Sequence, residues 1–163
     1  MKSLILIVLL ALAACTYGQT SLKQGPTVEG LSLGASRDEV IKKLGKPSSE
    51  KKGEADECVG GTEMTLKYPG LEFRLWDDSE EPGKFTVGAF EVTSQRWDVS
   101  GVRVGQSGET VKKLFGTSYT TESEKGGRTI WYYAMDENEG PGNTNFTIRN
   151  GKIINIYTMW LMC

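Results

Sequence analysis

The chain has 163 residues, with 19 Lys+Arg against 21 Asp+Glu, no histidine, three cysteines and 20 glycines. That length suits one domain or two small repeats, and 38% hydrophobic residues with four tryptophans support an ordinary core. The missing histidine removes the commonest general base, the usual triads and most catalytic zinc sites, and a mildly acidic chain with no basic stripe does not fit a nucleic-acid binder.

Met1-Lys2-Ser3 supplies one positive charge, and residues 4–14 are uninterruptedly apolar. A helix needs about 20 apolar residues to cross a bilayer core of about 30 Å, so this run is too short to span. A charged start, a short apolar stretch and small residues at its end form the secretory pattern. The end reads Leu12-Ala13-Ala14-Cys15, which resembles the bacterial lipobox. Residues 1–14 are therefore read as a lipoprotein signal peptide and Cys15 as the lipidated residue. Several acyl chains on Cys15 would anchor it stably, since each buried CH₂ contributes about 0.8 kcal/mol and two chains suffice. Residues 15–27 are polar, with Gly and Pro and no periodicity, as in a flexible tether. The residue after Cys15 is Thr16 and not Asp, which resembles the outer-membrane sorting default of enteric-type bacteria. The expected place is the cell envelope, at the outer membrane and facing the periplasm.

The body of the chain repeats itself. Residues 30–45 (GLSLGASRDEVIKKLG) and 101–116 (GVRVGQSGETVKKLFG) align at a constant offset of 71. Repeat 1 is placed at 28–98 and repeat 2 at 99–163. Ser36 and Ser107 are N-cap candidates, with Asp38 and Glu109 in the first turn where the helix dipole favours an acid. Val40 and Leu44, like Val111 and Phe115, share a helix face, and Gly45 and Gly116 end the helix. After the first helix, strands are expected over 63–68, 71–76 and 85–92, and after the second over 129–135, 144–149 and 152–161. Asn150-Gly151 is a strong hairpin signal between the last two. The expected fold class is α+β: two tandem repeats, each a short helical segment followed by a three-stranded antiparallel meander, with helices on one sheet face.

With Cys15 assigned, Cys58 and Cys163 remain, and an exported chain with two cysteines suggests a disulfide between them. A closed loop of about 100 residues contributes up to about 4.7 kcal/mol on the chain-entropy account. The alternative is two free buried thiols.

Period-2 alternation assigns faces. Leu71, Phe73 and Leu75 are expected inward, as are Phe146 and Ile148, and Ile154, Ile156 and Trp160. That leaves Glu72, Arg74, Trp76, Arg149, Asn155, Tyr157 and Met159 on the open face, together with Asn145 and Thr147. Trp, Tyr, Arg and Met are the residues of interface hot spots, so the first seven are candidate protein-binding residues, set against packing on the other repeat. Ile130 and Tyr132 compete with Trp131 and Tyr133 for the core, leaving that strand's faces undecided. The acidic runs at 77–81 and 136–139 lack the calcium-loop template and read as charged hairpin loops. No catalytic residue, metal or cofactor is assigned.

The motif Gly-hydrophobic-x-hydrophobic-Gly-x-Ser-x-acid-Val, then Leu-Gly or Phe-Gly, then strands, resembles the SmpA/OmlA (BamE-like) lipoprotein domain. Its tandem layout is similar to the beta-lactamase inhibitor protein, whose joined sheets form a concave binding face. That family carries a disulfide within each repeat, and this chain has too few cysteines for the pattern. The resemblance implies a non-enzymatic envelope lipoprotein that binds another envelope or secreted protein, in assembly or as an inhibitor of a hydrolase such as a beta-lactamase or lysozyme. A small-molecule or peptidoglycan-binding domain is the remaining reading.

Overall fold

Both helices begin where a serine can satisfy a free N–H. In the computed structural model, which describes residues 25–55, 61–77, 82–135 and 142–161, α1 is Arg37–Leu44 and α2 is Gly108–Phe115. Ser36 Oγ accepts from the Glu39 N–H at 3.3 Å, and the Glu39 carboxylate accepts from the Ser36 N–H at 2.8 Å, closing a capping box. Asp38 lies in the first turn as expected, and its neighbour Glu39 is the acid that closes the box. Position 110 is Thr, so α2 has no such box, and Ser107 Oγ accepts only from Glu109 N–H at 3.2 Å. Each helix ends at a glycine with φ 82° and ψ near −170°, Gly45 and Gly116. That region is essentially glycine-only.

The strands are β1 (Ser49–Glu54), β2 (Thr62–Tyr68), β3 (Leu71–Asp77) and β4 (Phe85–Val92), then β5 (Thr120–Glu124), β6 (Arg128–Ala134), β7 (Gly142–Arg149) and β8 (Lys152–Trp160). They form one antiparallel sheet in the order β1-β2-β3-β4-β8-β7-β6-β5. The α+β expectation of two repeats, each with a three-stranded meander, is therefore overturned. The protein is mostly sheet, with two eight-residue helices laid on it, and the strands form a single eight-stranded layer.

Two physical reasons account for the error. β1 (SEKKGE) and β5 (TTESE) are exposed along almost their whole length, so no apolar alternation marks them. They are ordered by backbone pairing to β2 and β6, and their charge suits their place at the two sheet edges, where it discourages further strand addition. The second reason is the pairing of β4 with β8, from Ala89↔Met159 to Val92↔Ile156, which fuses the halves. Such a pairing is long-range and leaves no local pattern.

One core lies between the sheet and the helical segments. Phe73, Phe90, Phe146, Leu66, Leu75, Ile153 and Ile156 are fully buried, with Val40 from α1 and Val111 from α2 packed on them. Two tyrosines fix the helix ends to the sheet: Tyr68 OH donates to Gly45 O and Tyr133 OH to Gly116 O, both at 2.9 Å. Burial raises the Tyr133 phenol far above its ordinary value, so it stays a donor. The segments ahead of the helices also meet. The tight turns at 28–31 and 99–102 bond across to each other, Glu29 N–H to Asp98 O and Ser100 N–H to Thr27 O, each at 3.0 Å.

Candidate functional site: the helix-free sheet face

With both helices on one face, the other face is clothed, among the described residues, by its own outward side chains. Two ladder irregularities decide which ones. Between β3 and β4, Arg74 pairs with Ala89 and Leu75 with Val87, so Gly88 is an extra residue. Phe85 and Val87 point to the core before it, and Phe90 and Val92 after it. A Cβ on Gly88 would stand 2.0 Å from Trp76 Cε3, so only glycine leaves room for that indole. Between β7 and β8, Thr147 pairs with Asn155 and Ile148 with Ile153, which makes Ile154 the extra residue. This corrects the core assignment of β8. Ile153 is fully buried, while Ile154 is half-buried and faces outward. Ile156 keeps its core place, and Trp160 lies over Gly34 on the helix side, 3.3 Å from where a Cβ would stand.

β6 is also settled. Tyr133 is buried, and Trp131 lies against Gly108 on α2 and stacks on Tyr119 at 4.8 Å between ring centroids. Ile130 and Tyr132 are left on the open face, where Tyr132 OH donates to Glu122 at 2.8 Å.

The open face holds a shallow groove of about 390 Å³. It crosses six strands, from Arg74 on β3 through Glu91, Tyr157, Asn145 and Ile130 to Glu124 on β5. Its charges are largely engaged already. Asn155 Nδ2 donates to Glu91 at 2.5 Å, and Arg128 Nε lies 3.1 Å from Glu124. Arg74 is exposed, with its Nε 3.6 Å from Glu72. Burial raises the Tyr157 phenol above its ordinary value; Arg74 opposes this, and the carboxylates of Glu91, Glu63 and Glu72 add to it. Among the described residues, three buried side-chain polar atoms have no hydrogen-bond partner: Trp76 Nε1, Asn143 Oδ1 and Asn145 Oδ1. All three belong to outward positions of β3 and β7.

Of the seven candidate binding residues, Arg74, Asn155 and Tyr157 line this groove. Glu72 stands beside it, opposite Glu91 in the ladder and 2.8 Å from Lys67. Trp76 points outward as expected but is only 9% exposed, its ring covering Gly88, so it is a packing residue. Met159 is half-buried between Ala89 and Asn143 in register, outside the groove. Arg149 is exposed at the end of β7, opposite Arg128 and Lys152. Glu91, Glu124, Arg128, Ile130, Asn145, Thr147 and Ile154 complete the lining. Asn145 and Thr147 were visible as outward positions. Glu124 sits in a strand without an apolar signal, and Ile154 is outward only because of the bulge.

Cys15, Cys58 and Cys163, the acidic residues of 78–81 and those of 136–139 lie outside the described residues. Asp77 accepts from the Gly83 N–H at 2.6 Å. Among the described residues no three His, Cys, Asp or Glu side chains are placed to hold a metal ion, and no helix is long and apolar enough to cross a membrane.

No family model matches the chain, and no curated protein matches it. Among solved structures, the chain is similar to an extracellular protein containing a SCP domain from Bacillus anthracis str. Ames, at 13% identity and a TM-score of 0.48. The match covers 78% of this chain and 44% of that one, so the chain spans less than half the length of that protein.

Proposed function

We propose that this chain is a lipid-anchored envelope module, held at a membrane through Cys15, that binds another envelope protein on its helix-free sheet face. The observation that carries the reading is the groove: Tyr157, Ile130 and Arg74 line it on hydrogen-bonded strands of a face that no helix among the described residues covers. Tyrosine and arginine supply binding energy at interface centres, and rigid strands reduce the entropy lost on docking. The apolar leader ending in Leu12-Ala13-Ala14-Cys15 supports the anchor. The motif resemblance to SmpA/OmlA lipoproteins agrees with a binding role.

The test places a benzoylphenylalanine photo-crosslinker at Thr147 in the groove, or at Lys113 on α2, in the full chain within its own envelope. One discrete adduct from Thr147, absent from Lys113 and lost on adding Ile130→Arg, is the expected result. Equal adducts from both faces, or none from Thr147, refute the docking face. The anchor is tested separately: Cys15→Ala should abolish labelling by radioactive palmitate and release the protein from membranes.

A further inference from the structure

The chemistry of the groove narrows what it can hold. Its fixed charges cancel, Arg74 and Arg128 against Glu91 and Glu124, and three of those four are bonded within 3.1 Å to a neighbour. The lining therefore carries no net charge to draw a polyanion or a polycation. What remains is neutral and hydrogen-bonding: the amides of Asn145 and Asn155, the Thr147 hydroxyl and the Tyr157 phenol. Asn145 Oδ1 is buried and has no hydrogen-bond partner among the described residues. Between these groups lie the apolar surfaces of Ile130, Ile154 and the Tyr157 ring.

Shape adds a second constraint. Six strands at about 4.8 Å spacing make a track about 24 Å long, and the volume falls in the range of about 300–1,000 Å³ usual for small-ligand sites. An extended peptide gains most of its affinity at a sheet edge, where backbone N–H and C=O groups are free. This groove lies on a face, where only side chains are offered. Hydroxyl groups both donate and accept, so a polyhydroxylated chain can pair with amide, hydroxyl and phenol groups alike. Its C–H faces would rest on the two isoleucines and the tyrosine ring.

We propose that this groove is a binding site for a neutral oligosaccharide chain. The site depends on neither Cys15 nor a protein partner, though a protein docked on the same face would compete with the sugar. The experiment titrates the purified full chain in detergent with chitohexaose, cellohexaose, maltohexaose and mannohexaose, read by calorimetry and by intrinsic fluorescence. A heparin fragment and a Gly-Ser peptide are the comparators. Saturable binding of at least one oligosaccharide is expected, weakened about tenfold by Tyr157→Phe and by Asn145→Ala and blocked by Ile130→Arg, with unchanged circular dichroism. If Ile130→Arg disturbs folding, Thr147→Arg on the adjoining strand supplies the same block. Binding of none of the four sugars, binding of the heparin or the peptide alone, or sugar binding indifferent to the arginine variants overturns the proposal. Because the assay needs no partner, its outcome is independent of the crosslinking result.

Discussion

Replacing Ile153 or Ile154 with alanine separates two residues that the sequence treats alike and the bulge in β8 sets on opposite faces. Ile153 is fully buried among the residues of the core, so truncation removes three carbons from an enclosed site. At about 0.8 kcal/mol per buried carbon the transfer loss is about 2.4 kcal/mol, and a residual cavity brings the total to about 3–4 kcal/mol. Ile154 is half-buried in the open groove, where water fills the space its side chain leaves, and its loss should cost under about 1 kcal/mol. Urea unfolding of the two variants measures the difference. The Ile153→Ala midpoint should fall well below that of Ile154→Ala, with the slope against denaturant unchanged. In thermal unfolding about 3 kcal/mol corresponds to roughly 6–12 °C for a domain of this size. Equal losses, or a larger loss for Ile154→Ala, would refute the bulge and with it the inclusion of Ile154 in the groove.

Gly88→Val should destabilise by about 1–3 kcal/mol, because its Cβ enters the Trp76 ring, and Trp76→Ala in the same chain should recover part of that loss in a double-mutant cycle. Ser36→Ala breaks the capping box and should lower stability by about 1 kcal/mol by urea unfolding, without changing the strand signal in circular dichroism. Tyr133 predicts an alkaline instability. Its folded pKa is raised, so above the ordinary tyrosine pKa of about 10 the unfolded chain releases a proton that the native state keeps, and stability falls as pH rises. Tyr133→Phe should flatten that decline in unfolding measured across the alkaline range, and an unchanged slope would refute the assignment. For Cys58 and Cys163, titration of non-reduced, unfolded protein should find no reactive thiols if they are bridged, and two reactive thiols would rule the disulfide out.

The residues that point outward were legible only in part. Arg74, Asn155 and Tyr157 follow from simple alternation, which holds wherever a strand runs without interruption. At Trp76 alternation gives the face but not the exposure. Its parity is right, yet a glycine one strand away lets the ring lie flat and become covered. Tyr132 and Trp131 are both plausible core residues in isolation. Trp131 goes inward because Gly108 at the start of α2 leaves a space for its ring.

What the sequence determined alone is local: the two serine-capped helices with their terminal glycines, six of the eight strands to within a few residues, and the Asn150-Gly151 turn. Each rests on interactions between residues close in the chain, or on a periodicity that burial imprints on side chains. The tertiary structure alone decided that the halves share one sheet, that β1 and β5 close its edges, and that Gly88 and Ile154 shift the registers. Backbone hydrogen bonds between distant segments make those choices. Such bonds form between any two extended segments whatever their side chains, and so leave almost no mark on the sequence.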